Sequence, residues 1–158
     1  MRLWHKDLIK VLPREQLVAQ WRELSAIAGA IQKNGTPNHI LVNFVVTDYS
    51  YDHFILYAKL VRAEMTRRGY RTMQNVMDKI ESLCPTFMEI PFEEIYREKM
   101  DNTYLTICYY NLYEKILCGG IQEPDSNNII NLYDSLKIQK AFRTIYNRLL
   151  EENGYYES

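Results

Sequence analysis

The sequence predicts an all-α fold, a single compact domain of about four to five helices with irregular connections. Apolar residues recur at steps of three and four over several long stretches, which is the period of an amphipathic helix. Glycine or Asn-Gly follows most of these stretches, as is typical where helices end. The length of 158 residues, with 47% apolar and 25% charged residues, is typical of one ordinary soluble domain. We therefore treat residues 1–158 as one domain.

The first long helix is predicted to begin near Pro13 and to run for about five turns. Pro13 suits the first turn because its missing N–H is not needed there. Asn34 and Gly35 end the helix. The apolar positions that define its buried face are Leu17, Trp21, Leu24, Ile27, Ala28 and Ile31.

The second long helix is predicted over 51–68, with Gly69 in the terminating position. Its end is basic, because Arg67, Arg68 and Arg71 lie close together. The segment 39–46 between the two helices is rich in β-branched residues, but it is short and has no evident strand partner. We interpret it as an extended or buried segment.

The same signals divide the rest of the chain. Pro85 and Pro91 mark a connection between helices. Further along the chain, Gly119-Gly120 ends the helix that precedes these two glycines. The predicted elements are a shorter helix over 72–83, a connection over 82–91, a helix over 103–117 and a last helix over 135–152.

Charge is distributed unevenly along the chain. Residues 1–83 carry 12 Lys and Arg against 8 Asp and Glu, whereas residues 84–158 carry 7 against 12. The N-terminal half is therefore the candidate for contact with an anionic partner. An excess of four positive charges over 83 residues is also within ordinary fluctuation, so charge alone leaves both interpretations open.

Several classes of enzyme site are absent from the sequence. The three histidines are scattered, and none has a second ligand three or four residues away, so neither a metal site nor a cofactor is predicted. The sequence contains no glycine-rich phosphate loop, no G-x-S-x-G and no H-E-x-x-H. Cys84, Cys108 and Cys118 form no metal-binding or redox motif, and no signal-like apolar segment opens the chain. We expect a reduced cytoplasmic setting.

Glu23 is the most informative acidic residue because it borders the apolar face of the first helix. A carboxylate at that margin becomes half buried, and partial desolvation is how a general acid or base is tuned. The alternative is a boundary salt bridge to Arg22 or Arg14. The 13 tyrosines similarly suggest base stacking, but most fall on helical stripes as core or boundary residues.

Four segments of the chain together resemble the pyrimidine dimer DNA glycosylases of the bacteriophage endonuclease V type. They are Met1 to His5, Leu17 to Lys33 with Trp21-Arg22-Glu23-Leu24 at its centre, Leu60 to Tyr70 with its basic-Gly-aromatic close, and Tyr104 to Ile116. The resemblance covers about residues 1–118. Residues 119–158 are interpreted as a C-terminal extension or a divergent end.

The resemblance implies an all-helical enzyme that acts on damaged double-stranded DNA. Members of this family cleave the glycosidic bond at a pyrimidine dimer and then break the backbone by lyase chemistry. Their nucleophile is the α-amino group, which forms an imine with the sugar. An α-amine with a pKa near ~7.7–8.0 is roughly 10–20% neutral at pH 7, whereas a Lys near ~10.4 is neutral in about one molecule in 2,500. The amine here is expected to be that of Met1, since Arg2 disfavours removal of the methionine.

The resemblance also assigns roles to residues. Glu23 matches the catalytic glutamate, which moves protons at the sugar and stabilises positive charge. We expect phosphate contacts from basic residues that converge around the Met1 amine and Glu23, namely Arg2, Arg14, Arg22 and Lys33. Gln16 and Ala26 stand where phage members carry a histidine and an arginine.

An alternative function is a catalytically inactive nucleic-acid-binding or protein-interaction domain on the same fold. An enzyme requires the basic residues to surround Glu23 and the N-terminal amine, whereas an interaction domain does not. No membrane partner is expected. The sequence leaves the oligomeric state open, with a monomer as the expectation, and a DNA-bound enzyme would associate with the nucleoid.

Overall fold

The computed structural model describes residues 1–154, and that part of the chain contains helices and no strand. The all-α prediction is confirmed, with five α-helices of seven residues or more. The α-helices are α1 (Arg14–Asn34), α2 (Phe44–Thr47), α3 (Tyr51–Arg67), α4 (Gln74–Glu81), α5 (Asn102–Leu117) and α6 (Asp125–Glu152). Two 3-10 helices, Lys6–Val11 and Phe92–Glu94, complete the set in the described residues.

The chain divides into two compact units, Met1–Tyr110 and Asn111–Ser158. The interpretation of residues 1–158 as one domain stays a prediction. The same holds for the interpretation of residues 119–158 as an extension, and its last four residues lie outside the described range.

Helix α1 forms where the sequence predicts it. Pro13 immediately precedes its first residue, and Gly35 ends it in the left-handed region at φ 74°. The Gly35 N–H donates to the Ile31 carbonyl at 2.8 Å, which satisfies one of the terminal acceptors. Leu24 and Ile27 are fully buried, so the apolar stripe faces the core of the first unit.

The end of α3 shows why a basic-Gly-aromatic sequence closes this helix. Gly69 has φ 80°, a conformation that glycine adopts without a steric penalty. Its N–H donates to the Thr66 carbonyl at 2.9 Å, and the Tyr70 N–H donates to the Met65 carbonyl at 2.8 Å. This reversal carries Tyr70 back along the helix end.

Two sequence predictions are wrong. Residues 40–43 form a turn and 44–47 form α2, so the segment 39–46 is not extended, although Val42 is fully buried as the buried interpretation requires. Local hydrogen bonds decide the conformation: the His39 carbonyl accepts from Val42 and Asn43 N–H groups at 2.9 Å each, and Asn43 Oδ1 accepts from the His39 N–H at 2.8 Å. Side chains such as Asn commonly favour turns in this way.

The last helix begins ten residues before the predicted start at 135, because α6 starts at Asp125. The opening Asp-Ser-Asn-Asn run has the composition of a loop, but Asp125 lies in the first turn, where an acid is favourable. Ile129 and Tyr133 then supply buried side chains one turn apart.

The N-terminal segment is packed into the first unit. Leu3 is fully buried, and Trp4 and His5 are 8% and 1% exposed. The His5 Nε2 atom lies 2.7 Å from the Met100 carbonyl. The Lys6 ammonium donates to three carbonyls, those of Phe92, Glu93 and Ile95, at 2.7, 2.9 and 2.7 Å. These contacts fix the backbone that leads to the amino terminus.

The second unit buries few large side chains in its later part. From Ile138 onward, α6 exposes five large hydrophobic side chains by more than half, those of Ile138, Phe142, Ile145, Tyr146 and Leu149. None of the helices in residues 1–154 is long and apolar enough to cross a membrane.

Candidate active site on the first long helix

A single buried side chain, Gln20 on α1, connects Glu23 to the N-terminal segment. Gln20 is fully buried. Its Nε2 atom donates to the Arg2 carbonyl at 3.0 Å and to Glu23 Oε2 at 3.3 Å. Its Oε1 atom accepts from the Trp4 N–H at 2.8 Å. The amide therefore holds the backbone of residues 2–4 beside the half-buried Glu23 carboxylate.

Tyr57 on α3 supports this amide from the core. Its hydroxyl donates to the Trp4 carbonyl at 2.6 Å and lies 3.0 Å from Gln20 Oε1. Burial raises the pKa of Tyr57 well above its ordinary range, so the hydroxyl keeps the proton that it donates. A second tyrosine, Tyr104 on α5, donates its hydroxyl to the Leu3 carbonyl. Residues 2–4 are thus held from two helices.

Met1 precedes this anchored segment and is 45% exposed. The amino terminus and Glu23 consequently approach the same side of α1, because Arg2 and Glu23 share one hydrogen-bonding partner. The amine makes no ion pair within residues 1–154. A direct or water-bridged contact between the Met1 amine and Glu23 stays a prediction.

The Arg2 side chain has a structural environment that the sequence does not indicate. Its guanidinium lies 5.7 Å from the centre of the Trp4 ring and hydrogen bonds with the Cys108 thiol. Burial raises the pKa of Cys108, and hydrogen bonds from His5 and Tyr104 and the charge of Arg2 offset only part of that rise. The phosphate-binding role of Arg2 stays a prediction.

Other arginines meet at a groove beside α1, here called the arginine groove. Its volume is about 570 Å³, and no Asp or Glu lines it. The Arg14 guanidinium lies 5.5 Å from the centre of the Tyr70 ring, within the range of a cation–π contact. The side chains that line the groove include those of Arg14, Trp21, Arg22, Tyr70, Arg71 and Met73.

Arg71 is the arginine of the basic cluster that remains unpaired in the described part of the chain. Arg67 and Arg68 both bind the Glu64 carboxylate, at 2.5 and 2.7 Å. Arg68 also donates to the Leu12 carbonyl at 2.7 Å. These two arginines are therefore committed to holding α3, and Arg71 is available for a ligand.

The four predicted basic residues do not form one cluster around Glu23. At a rise of 1.5 Å per residue, Arg14 and Lys33 lie about 14 and 15 Å from Glu23 along the helix axis. Successive residues also rotate by about 100°, so neighbouring Arg22 and Glu23 face different directions. The structure brings Arg14 and Arg22 together at the arginine groove, and leaves Lys33 at the far end of α1.

Sequence reasoning missed Gln20 and Arg71. A signal for Gln20 was available, because an amide on the apolar side of a helix needs partners and Gln20 precedes Glu23 by one helical turn. A signal for Arg71 was also available, because Arg67 and Arg68 follow Glu64 at the i+3 and i+4 positions of one helix, whereas Arg71 lies beyond Gly69. No group of three or more His, Cys, Asp or Glu in residues 1–154 is placed to hold a metal ion.

The sequence of residues 1–78 matches the model of the pyrimidine dimer DNA glycosylase family. The resemblance found in the sequence is confirmed over this range, which contains α1, Glu23 and the arginine groove. The likeness of residues 104–116 to the same family stays a prediction. No curated protein and no solved structure matches the chain.

Proposed function

We propose that this chain is a DNA repair glycosylase with abasic-site lyase activity, acting on pyrimidine dimers or related damage in double-stranded DNA. The observation that carries the proposal is the Gln20 amide, which hydrogen bonds to both the Arg2 carbonyl and the Glu23 carboxylate. It brings the N-terminal segment and the matching glutamate to one side of α1. The family match over residues 1–78 supports the same activity.

The Met1 amine is the proposed nucleophile. Its nitrogen bonds to C1′ of the damaged nucleotide as the glycosidic bond breaks, and the base leaves with the electron pair and a proton. Ring opening of the sugar then gives an imine. Loss of a proton from C2′ breaks the bond between C3′ and the phosphate oxygen, and water finally releases the amine.

Glu23 is proposed to move these protons and to stabilise the positive charge at the imine nitrogen. A half-buried carboxylate suits both tasks, because its charge is less screened than at a fully exposed site. Removing a positioned acid or base typically slows catalysis by about 10²–10⁴-fold.

DNA affinity is assigned chiefly to the arginine groove. Arg14, Arg22 and Arg71 line one concave surface that no carboxylate lines, so their charge is available to phosphates. Tyr70 and Trp21 add aromatic surface there. A catalytically inactive DNA-binding domain is the second candidate, because the arginine groove does not include Glu23 or the amino terminus and could bind DNA without them.

Borohydride trapping tests the proposed function. The chain is incubated with duplexes that contain an abasic site or a cyclobutane dimer, and reduction converts an imine into a stable protein–DNA adduct. We expect an adduct at Met1 with the unmodified chain and none after selective acetylation of the α-amine. Undamaged duplex is the control. Binding without any adduct on either damaged duplex would favour the inactive DNA-binding domain.

A further inference from the structure

We infer that Gln20 is a positioning residue that sets the Met1 amine against Glu23, so that its amide controls the rate of imine formation rather than DNA affinity. This inference rests on the proposed function. It concerns a side chain that would touch neither DNA nor the reacting atoms. Its influence would pass through the Arg2 carbonyl and the Glu23 carboxylate.

Three hydrogen bonds fix the orientation of the Gln20 amide. A carboxamide offers two N–H donors and one carbonyl acceptor. The two donors bind Arg2 and Glu23, and Oε1 accepts from the Trp4 N–H. Rotating the amide by 180° would place its NH₂ group against the Trp4 N–H. Its oxygen would then face the Arg2 carbonyl and the Glu23 carboxylate, which are both acceptors. The side chain therefore has one favourable orientation.

This orientation restricts two groups that would otherwise move. The first residues of a chain are commonly poorly ordered unless something holds them. Because the Arg2 carbonyl is held, the Met1 amine can range over only about one residue length, 3.8 Å. The Glu23 side chain loses rotational freedom for the same reason. Such pre-orientation increases the reaction rate by a large factor, and a displacement of about 1 Å can lower the rate by about 10²-fold.

A second glutamine of α1 provides a control that does not touch the N-terminal segment. Gln32 is exposed, and its Nε2 atom donates to the Ser82 hydroxyl at 2.7 Å. It lies about 18 Å from Gln20 along the helix axis. Gln32→Met makes the same chemical change on the same helix and leaves the hydrogen bonds at Arg2, Trp4 and Glu23 in place. It is the matched control for Gln20→Met.

The test compares Gln20→Met, Gln20→Glu and Gln32→Met in single-turnover reactions on an abasic duplex. Gln20→Met removes all of the hydrogen bonds with little change in volume. Gln20→Glu keeps the acceptor for Trp4 and replaces the Nε2 donor by oxygen, so it remains informative where Gln20→Met fails to fold. At saturating DNA we expect both Gln20 variants to form the imine about 10²-fold more slowly, with dissociation constants within a few-fold of the parent. Gln32→Met should react at nearly the parental rate.

The outcomes separate this inference from the proposed function. A parent that binds abasic duplex but forms no imine overturns the proposed function, and the inference falls with it. A parent that forms the imine while a folded Gln20 variant reacts as fast as Gln32→Met overturns the positioning role alone. A loss of DNA affinity that accounts for the whole defect also overturns it, because positioning acts on the rate at saturation.

Discussion

The two sides of α1 differ in how their polar groups are held. On one side, Gln20 is fully buried and joins Glu23 to the N-terminal backbone through hydrogen bonds of 2.8 to 3.3 Å. On the other side, Arg14 and Arg22 line an open groove with Arg71, and no carboxylate accompanies them. The first side is held by buried hydrogen bonds around a carboxylate, whereas the second is open and lined by positive charge.

In the proposed function, one helix separates chemistry from affinity. Imine formation requires fixed geometry, which buried hydrogen bonds provide. Attraction to phosphates requires uncompensated charge near solvent, which a buried network would neutralise. The rotation of about 100° per residue lets adjacent Arg22 and Glu23 serve different sides.

The largest expected effect is that of Glu23→Gln. The change keeps the size of the side chain and removes its charge and its ability to accept a proton. We expect strand cleavage to fall by about 10²–10⁴-fold while binding to damaged duplex stays within a few-fold of the parent. Gel cleavage under single-turnover conditions and fluorescence anisotropy measure the two quantities. Normal cleavage by this variant would remove Glu23 from the mechanism.

Substitutions in the arginine groove should weaken DNA binding and leave the cleavage rate unchanged, the reverse of what we expect for Glu23→Gln. Arg22→Ala and Arg71→Ala should each weaken binding to all duplexes about equally and reduce the slope of log K against log salt by about 0.9. Their cleavage rates at saturating DNA should stay close to the parental value. Arg97→Ala is the control, because Arg97 pairs with Glu94 at 3.1 Å and does not line the arginine groove. An unchanged salt slope in Arg71→Ala would remove Arg71 from the interface.

The smallest expected effect concerns the paired arginines beside the arginine groove. Burial raises the pKa of Glu64, but hydrogen bonds and charges from Arg67 and Arg68 outweigh burial and hold it below its ordinary value. A carboxyl whose pKa is lowered on folding stabilises the fold above its unfolded pKa, and this stabilisation disappears as pH falls through the folded pKa. Glu64→Gln should thus lower the free energy of unfolding at pH 7 by about 1–3 kcal/mol.

Urea unfolding of the parent and Glu64→Gln at several pH values measures this effect. The difference should be full above about pH 5 and should shrink as pH falls below about 4.5. Glu94→Gln removes an exposed pair of the same type and should change stability little at any pH. A difference for Glu64→Gln that is independent of pH would show that packing, not charge, is responsible.

The sequence predicts most of the helices because their periodicity and terminators are local. α1 and α3 follow from apolar spacing and from Gly35 and Gly69, which both adopt positive φ. The prediction of an extended backbone over 39–46 was wrong because hydrogen bonds around Asn43 outweigh β-branched composition. These outcomes depend on contacts within a few residues that composition does not describe.

The candidate site was less predictable. The position of Glu23 at the border of the apolar face of α1 could be predicted from sequence, because it depends only on the periodicity of one helix. The partners of Gln20 lie 16, 18 and 37 residues away along the chain at Trp4, Arg2 and Tyr57, so only the folded structure brings them together. The pairing of Arg67 and Arg68 is in contrast local, because Glu64 lies three and four residues before them on the same helix.

The three carbonyls around Lys6 have a consequence for the selectivity of amine chemistry. Lys6 is the lysine nearest to the amino terminus in the chain, and an imine there would give a competing product. An amine attacks only through a free lone pair, whereas the Lys6 ammonium donates its three protons to the carbonyls of Phe92, Glu93 and Ile95. A neutral amine has only two N–H donors, so deprotonation would leave at least one of the three carbonyls without this partner. In the proposed function, the contact that anchors residues 92–95 thus also keeps the Lys6 amine from competing with the Met1 amine.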